Sequence, residues 1–551
     1  MFSCLDTSIV STSLYMMAHE FQSTREVPWV VLSYLLTYMS FAVGFSKLSD
    51  VYGRRAVLLA AWGLFTVGSV WCGWAGSMGQ LVAGRAVQGV GGSGLYSLAQ
   101  VCLVEQGPAR PEVVGGLVGV TLSVSFVLGP VMGGGISAVW KWRGVFWVNI
   151  PFGVVSVVGI WTLWPRERLG RDEYHRRLDT KMGTRFVWRK IARVDFVGNT
   201  LLALGSILLV FALQEAGSFV WRWDSPVIIW SLAISVVCFA LFGVWEWYLY
   251  RGGGGGGGGG EKSAKGRIEG IFPVGLVKGR VYACVLVNTL LTGFVYIALV
   301  IDLPDRLQIA YLDSPLLAGV HSLPMLGCCA LGSFLGGLVS KKRDLTCQTL
   351  IAGGLVQVLG LGLMVGFNRG QELLSKGLLM GFTAVYGLGV GLSFASATII
   401  AAVEASHDDL AVAQGAVAQA RVFGGALGLA VGGILLNQRL KGGLREVLEE
   451  QGLEAVHRSL YGIMRLSYAE RIKVAGVYAG GFGEQLWMFL GVGMAALVVA
   501  CGTWKRQGGE GERTVVEVME GHKERRGRGR GKMMEREVEL ESASSVRSLM
   551  R

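Results

Sequence analysis

Ser46-Lys47-Leu48-Ser49-Asp50-Val51-Tyr52-Gly53-Arg54-Arg55 sits between two apolar runs, 27–45 and 56–76. Each run can cross the ~30 Å hydrocarbon layer of a bilayer, which takes about 20 mostly apolar residues. The connection carries one acid among three cations and a glycine at its bend. Short basic connections face the cytoplasm. An acid set among cations can lock neighbouring helix ends together until a conformational change breaks the contact.

The same pattern extends in both directions. Runs of spanning length fall near 2–18, 27–45, 56–76, 80–103, 113–138, 144–164, 195–215, 226–250, 281–301, 315–339, 346–367, 377–402, 410–436 and 483–504. They predict fourteen transmembrane helices with both termini on one side. Lys47 with Arg54 and Arg55, the segments Arg166 to Arg193 and Arg251 to Arg280, and Lys341 to Arg343 place that side in the cytoplasm. Glu404 to Asp409 runs against this pattern, so the orientation rests on the other four connections.

Composition agrees with a membrane bundle. Of 551 residues, 52% are hydrophobic and 16% charged, well below the roughly 25% charged of soluble domains. The 83 glycines lack any collagen period and suit close helix approach in lipid. The net charge of +12 lies in loops and the tail, which points to an anionic leaflet, and no nucleic-acid partner is expected. The cysteines sit mostly within apolar runs, as packing residues. Met1 to Ala18 carries Asp6 and no basic n-region, unlike a cleaved signal peptide.

The expected plan is six, two, six. Residues 1–164 form an N-terminal six-helix bundle, 165–194 a basic cytoplasmic loop, and 195–250 two inserted helices packed outside. Residues 251–280 form a cytoplasmic linker, and 281–504 a second six-helix bundle with an outer loop at 438–480 bearing an interfacial helix. A basic tail, 505–551, is expected to be disordered. Gly252 to Gly260 reads as a flexible tether; no strand or following helix of the required kind makes it a phosphate loop. Two echoes support duplication: Gly129 to Gly135 against Gly424 to Gly433, and Lys47 to Arg55 against Lys341 to Arg343.

Ionisable groups inside spans are costly unless they face a cavity or a partner. Asp6 in span 1, Arg85 in span 4 and Gln88 one turn further are such groups. Desolvation favours the protonated carboxyl and a nearby cation opposes it, so moving helices can switch Asp6 between states. A static Asp6–Arg85 tie is the alternative.

From these residues the family becomes recognisable. The Ser46–Arg55 connection resembles motif A of the major facilitator superfamily, and Leu81 to Gly92, with its Gly-Arg-x-x-Gln-Gly core, resembles motif B. Gly116, Gly129, Pro130, Gly133 and Gly134 are similar to the antiporter motif, a glycine-proline helix kink. Leu5 to Val10, Trp29, Ser33 to Leu36 and Trp142 to Gly153 resemble the 14-spanner drug:proton antiporters, fungal efflux pumps in particular. Ser46, Val51 and Ser125 depart from the family pattern. Only five residues precede Asp6, which points to a late-called start.

The resemblance implies an all-α major facilitator fold: two six-helix bundles plus two inserted helices around a central cavity. It implies export of a hydrophobic or amphipathic small molecule, driven by a proton gradient without any cofactor. Asp6, Arg85 and Gln88 would couple protons, with Asp50, Gly53, Arg54 and Arg55 as the cytoplasmic gate. Trp29, Tyr34 and Arg421 are candidate cavity residues. A monomer in the plasma membrane is expected, the vacuolar membrane being the second setting. Alternatives are a vacuolar amino-acid or siderophore carrier, or a non-transporting sensor. No nucleophile–base pair or metal cluster suggests an enzyme.

Among the remaining polar residues, Glu215 and Glu246 are expected to snorkel from span ends and Asp302 and Asp305 to be solvated. His321 is expected in a structural hydrogen bond, and Trp221, Trp223 and Trp230 in an interfacial belt.

Overall fold

The computed structural model describes residues 2–11, 13–21, 23, 26–106, 140–163, 195–216, 221–252, 274–311, 313–339, 345–367, 375–405, 410–447 and 468–504, with scattered positions between 117 and 136. Regular structure among the described residues is helical, the form that satisfies every backbone group within its own segment in lipid. The first half comprises α1 (Phe2–Ser11), α2 (Leu14–Phe21), α3 (Val27–Tyr52), α4 (Arg54–Trp74), α5 (Met78–Gln106), α6 (Gly144–Trp147) and α7 (Asn149–Leu163). Next come α8 (Phe196–Ala216) and α9 (Pro226–Gly252). The second half holds α10 (Val274–Val277), α11 (Arg280–Ala310), α12 (Pro315–Val339), α13 (Thr346–Phe367), α14 (Lys376–Glu404), α15 (Leu410–Val447) and α16 (Tyr468–Cys501).

Among the described residues, 11 helices are long and apolar enough to cross a membrane. Three of the expected spans fall outside that number. Span 2–18 is the broken pair α1 and α2. The span at 80–103 is α5, 29 residues long but too polar on average, since it carries Arg85, Gln88 and Gln100. The span at 113–138 lies largely outside the described residues. The expected outer loop 438–480 is shorter than predicted, because α15 runs on to Val447 and α16 begins at Tyr468. The basic loop, most of the polyglycine run, Lys341 to Arg343 and the tail also lie outside the described residues.

Glycine permits the closest helix contacts. A Cβ on Gly68 of α4 would lie 2.5 Å from the Gln88 backbone nitrogen of α5. The two echoed glycine stretches do equivalent packing. A Cβ on Gly129 would lie 1.8 Å from Ser8 Oγ of α1, and one on Gly424 of α15 would lie 1.9 Å from the Leu290 carbonyl of α11. Each stretch thus presses on the helix that opens its own half.

The inserted helices differ from each other. α9 lies outside, with Ile229, Val236 and Val244 exposed. α8, expected outside with it, contacts both α3 and α15 and so sits at the seam between the halves. Asp195 fixes its start, accepting the Gly198 N–H at 2.8 Å and the Trp245 indole N–H at 2.8 Å.

Four acids correct the sequence reading. Glu215 and Glu246 are buried, and Glu215 Oε1 accepts the Trp29 indole N–H at 2.9 Å. Packing of α8 against α3 covers a position that periodicity places at a free end. α11 continues past the expected limit at 301 to Ala310, carrying Asp302 and Asp305 with it. Asp302 and Asp305 are half-buried, each with one carboxylate oxygen, Oδ2 and Oδ1 respectively, that is buried and has no hydrogen-bond partner among the described residues.

Segments expected outside the membrane meet at one end of the bundle. Arg143 binds Glu20 Oε1 at 2.5 Å and donates to the Ala75 carbonyl at 3.0 Å, while the Trp142 indole donates to Glu20 Oε2 at 2.7 Å. Burial alone would raise the Glu20 carboxyl, but the hydrogen bonds from Arg143 and Trp142 and the adjacent positive charge outweigh it and hold it below its ordinary value. In the second half Asp313 pairs with His321 Nδ1 at 2.7 Å and Lys376 Nζ at 2.5 Å, so His321 holds a structural bond.

Candidate functional site

Three helices and the head of α7 converge on Asp6. Its Oδ2 pairs with Arg85 Nη1. Its Oδ1 accepts Gln88 Nε2 at 2.8 Å and Asn149 Nδ2 at 2.8 Å. Arg85 Nη1 also reaches Gln88 Oε1 at 2.7 Å, and its Nε donates to the Val30 carbonyl at 3.1 Å. Gln88 donates further to Ser69 Oγ at 2.8 Å. Asp6, Arg85 and Gln88 are fully buried (0% exposed), so these partners replace water for an ion pair whose desolvation is otherwise prohibitive. Gly68 allows the arrangement by letting the Gln88 backbone approach α4.

The sequence reading grouped Asp6, Arg85 and Gln88, and the fold brings all three together. It missed Ser69 and Asn149 as members. Asn149 carried a signal, an amide one residue after an apolar tetrapeptide, while a single serine among small residues carries none.

Beside this network lies a narrow cavity between the halves. Ser3, Thr7, Tyr34, Tyr38 and Tyr96 line it from the first half, and Tyr296, Phe394 and Arg421 from the second. Tyr34 belongs to both places: its ring centre lies 4.2 Å from the Arg85 guanidinium carbon, and it lines the cavity. Its hydroxyl donates to the Ser3 carbonyl at 2.8 Å. Arg421 reaches across the seam, donating from Nη1 to Tyr96 Oη at 2.7 Å. Trp29, expected in the cavity, is instead committed to Glu215 and packs on Phe211 of α8.

At the other end, Gly53 joins α3 to α4 with φ 90, a left-handed value that favours glycine. Arg54 donates to Ser49 Oγ and to the Ser46 carbonyl, and Arg55 to the Trp161 carbonyl at 3.0 Å. The two arginines therefore brace α3, α4 and the end of α7. Here α3 also meets the second half: a Cβ on Gly415 of α15 would lie 3.1 Å from Ser46 Oγ, and Val43 packs on Val412. The side chain of Asp50, with Gly116, Pro130 and Gly134, lies outside what is described. Gly133 is described, in a helical segment.

A buried ion pair, a cavity shared by two helical halves and a braced turn between α3 and α4 are parts of a carrier, and comparison with known proteins agrees. The family model described as Major Facilitator Superfamily matches residues 1–244. The MFS-type transporter FPY5 of Fusarium mangiferae is 33% identical over 501 residues, covering 90% of this chain and 80% of that one. Efflux pump dotC of Dothistroma septosporum is 27% identical over 450 residues, 80% of this chain and 70% of that one. Among solved structures, a bacterial homologue of the human lysosomal transporter Spinster aligns with TM-score 0.52 at 14% identity, over 91% of this chain and 93% of that one. A double-tryptophan XylE variant aligns with TM-score 0.51 at 16% identity, over 94% and 96% of the two chains. The relatives and neighbours are transporters, not enzymes; this chain belongs to the major facilitator superfamily and is a multi-pass membrane secondary transporter.

Proposed function

We propose that the chain is a proton-coupled exporter of a hydrophobic or amphipathic small molecule, working as a monomer in the plasma membrane by alternating access. The observation that carries this reading is the fully buried Asp6 carboxylate, held by Arg85, Gln88 and Asn149, with Tyr34 both stacked on Arg85 and lining the cavity. Asp6 takes a proton when the lobes rock and its distance to Arg85 grows, because the desolvated carboxylate then loses its counter-ion. The proton leaves when the pair closes again. Arg54 and Arg55 hold the cytoplasmic helix ends together in one state, and the Gly129 contact with Ser8 lets the α1 segment shift against its neighbour.

One proton moving down 100 mV supplies roughly 2.3 kcal/mol, enough for modest accumulation. Names among the relatives support export as the direction: Efflux pump dotC and the MFS-type efflux pump LUC4 of Fusarium. The test is uptake into proteoliposomes containing the full chain under an imposed pH gradient, with internal pH followed at the same time. Uptake linked to proton counterflow in the native protein and absent in Asp6→Asn is expected. Substrate movement indifferent to the gradient would overturn the reading.

A further inference from the structure

We propose that the cavity takes an organic anion with a flat, unsaturated body, anchored through its acidic group by Arg421. This rests on the transport reading and adds the chemical class of the cargo. Arg421 is 4% exposed. One nitrogen, Nη1, is spent on Tyr96, and one face of the guanidinium is covered by Phe394, whose ring centre lies 3.9 Å away. Nε and Nη2 are buried and have no hydrogen-bond partner among the described residues.

Those two nitrogens form one edge of the guanidinium, and that edge holds both oxygens of a carboxylate or sulfonate in parallel hydrogen bonds. Arginine cannot shed its charge to escape burial, and its described partners are a phenol and a ring, neither of which carries a negative charge. A static tie to Tyr96 would leave the fork empty and the cation uncompensated, at a cost that a buried ion pair exists to avoid. The counter-charge is therefore supplied by the cargo.

The rest of the wall describes the body of that cargo. Tyr34, Tyr38, Tyr96, Tyr296 and Phe394 offer aromatic faces around the arginine, surfaces on which flat rings stack. The arginine of the first half does not compete for the anion, because Arg85 already holds Asp6.

Naphthalene-2-sulfonate, charged at every accessible pH, and its neutral analogue naphthalene-2-sulfonamide test the assignment in proteoliposomes containing the full chain under a pH gradient. The native protein is expected to take up the sulfonate about tenfold faster than the sulfonamide, the discrimination one charge-assisted fork provides. Arg421→Gln is expected to bring that ratio close to one, and Arg421→Lys, which keeps the charge but loses the fork, to an intermediate value. If the native protein moves the sulfonamide as fast as or faster than the sulfonate, the anion assignment is overturned while transport stands. A sulfonate preference that survives intact in Arg421→Gln overturns it as well. Failure to move either probe above protein-free vesicles counts against the anion site and against the export reading together. Should Arg421→Gln fail to fold, the native ratio and the lysine variant still decide.

Discussion

The two halves differ in whether a buried arginine has an acid beside it. In the first, Asp6 and Arg85 are paired, Gln88 and Asn149 bind Asp6, Gln88 and the Val30 carbonyl bind Arg85, and only Arg85 Nη2 of the pair has no partner among the described residues. In the second, Arg421, Arg306, Asp302 and Asp305 are drawn into the bundle with nitrogens or oxygens that find no partner among the described residues. A satisfied network holds one arrangement until its pair is pulled apart.

The sharpest way to break this contrast is to remove one side of the satisfied pair. Arg85→Ala leaves Asp6 uncompensated and is expected to cost about 3–5 kcal/mol of stability, read as a fall in the thermal unfolding midpoint in detergent. Adding Asp6→Asn to it should restore part of the loss, as coupled residues do in a double-mutant cycle. Strictly additive losses would show that the pair does not act as a unit.

Next in size is Gly129→Ala. Its Cβ would fall on Ser8 Oγ, an overpacking expected to cost about 1–3 kcal/mol. Ser8→Ala in the same chain should relieve part of it, because Ser8 Cβ at 2.7 Å and the Ile9 backbone nitrogen at 2.9 Å remain in the way; no relief at all would place the strain elsewhere. Asp302→Asn sharpens the comparison from the other half. Asp302 is half-buried with one oxygen that has no donor among the described residues, so removing its charge should leave the unfolding midpoint unchanged or raise it, a gain of no more than about 1–3 kcal/mol in stability. A clear drop would reveal a partner for Asp302, and the halves would then be alike.

The smallest effect belongs to the outer tie of Glu20 with Arg143. Both side chains are partly exposed, at 39% and 31%, so the pair contributes less than about 1 kcal/mol. Because the folded carboxyl lies below its ordinary value, its contribution is present above the unfolded value near 4.5 and is lost as pH falls through the lowered one. Glu20→Gln should therefore lower the unfolding midpoint slightly at pH 7 and have no effect in strong acid. A difference that persists unchanged at low pH would remove the ion pair as its cause.

Much of this was legible in the chain because lipid imposes simple rules. Spanning length marked most of the helices, and an acid, an arginine and an amide inside apolar runs marked the buried network around Asp6. What length and polarity cannot report is which neighbour covers a helix end. Glu215 and Trp29 read as an interfacial acid and a cavity ring, yet they bind each other because α8 lies on α3. Asp302 and Asp305 read as solvated because the apolar run stops at 301, whereas the helix does not. α5 is the converse case: the polar residues that make it too hydrophilic for a composition rule are the ones the network uses.

The position of α8 has a consequence for the route of entry. A helix wedged against α3 and α15 closes that flank of the carrier toward the surrounding fatty chains. Any apolar molecule drifting in the leaflet meets α8 on this side before it can reach the contact of α3 with α15, so the insertion gives the transporter a front and a back within the plane of the membrane.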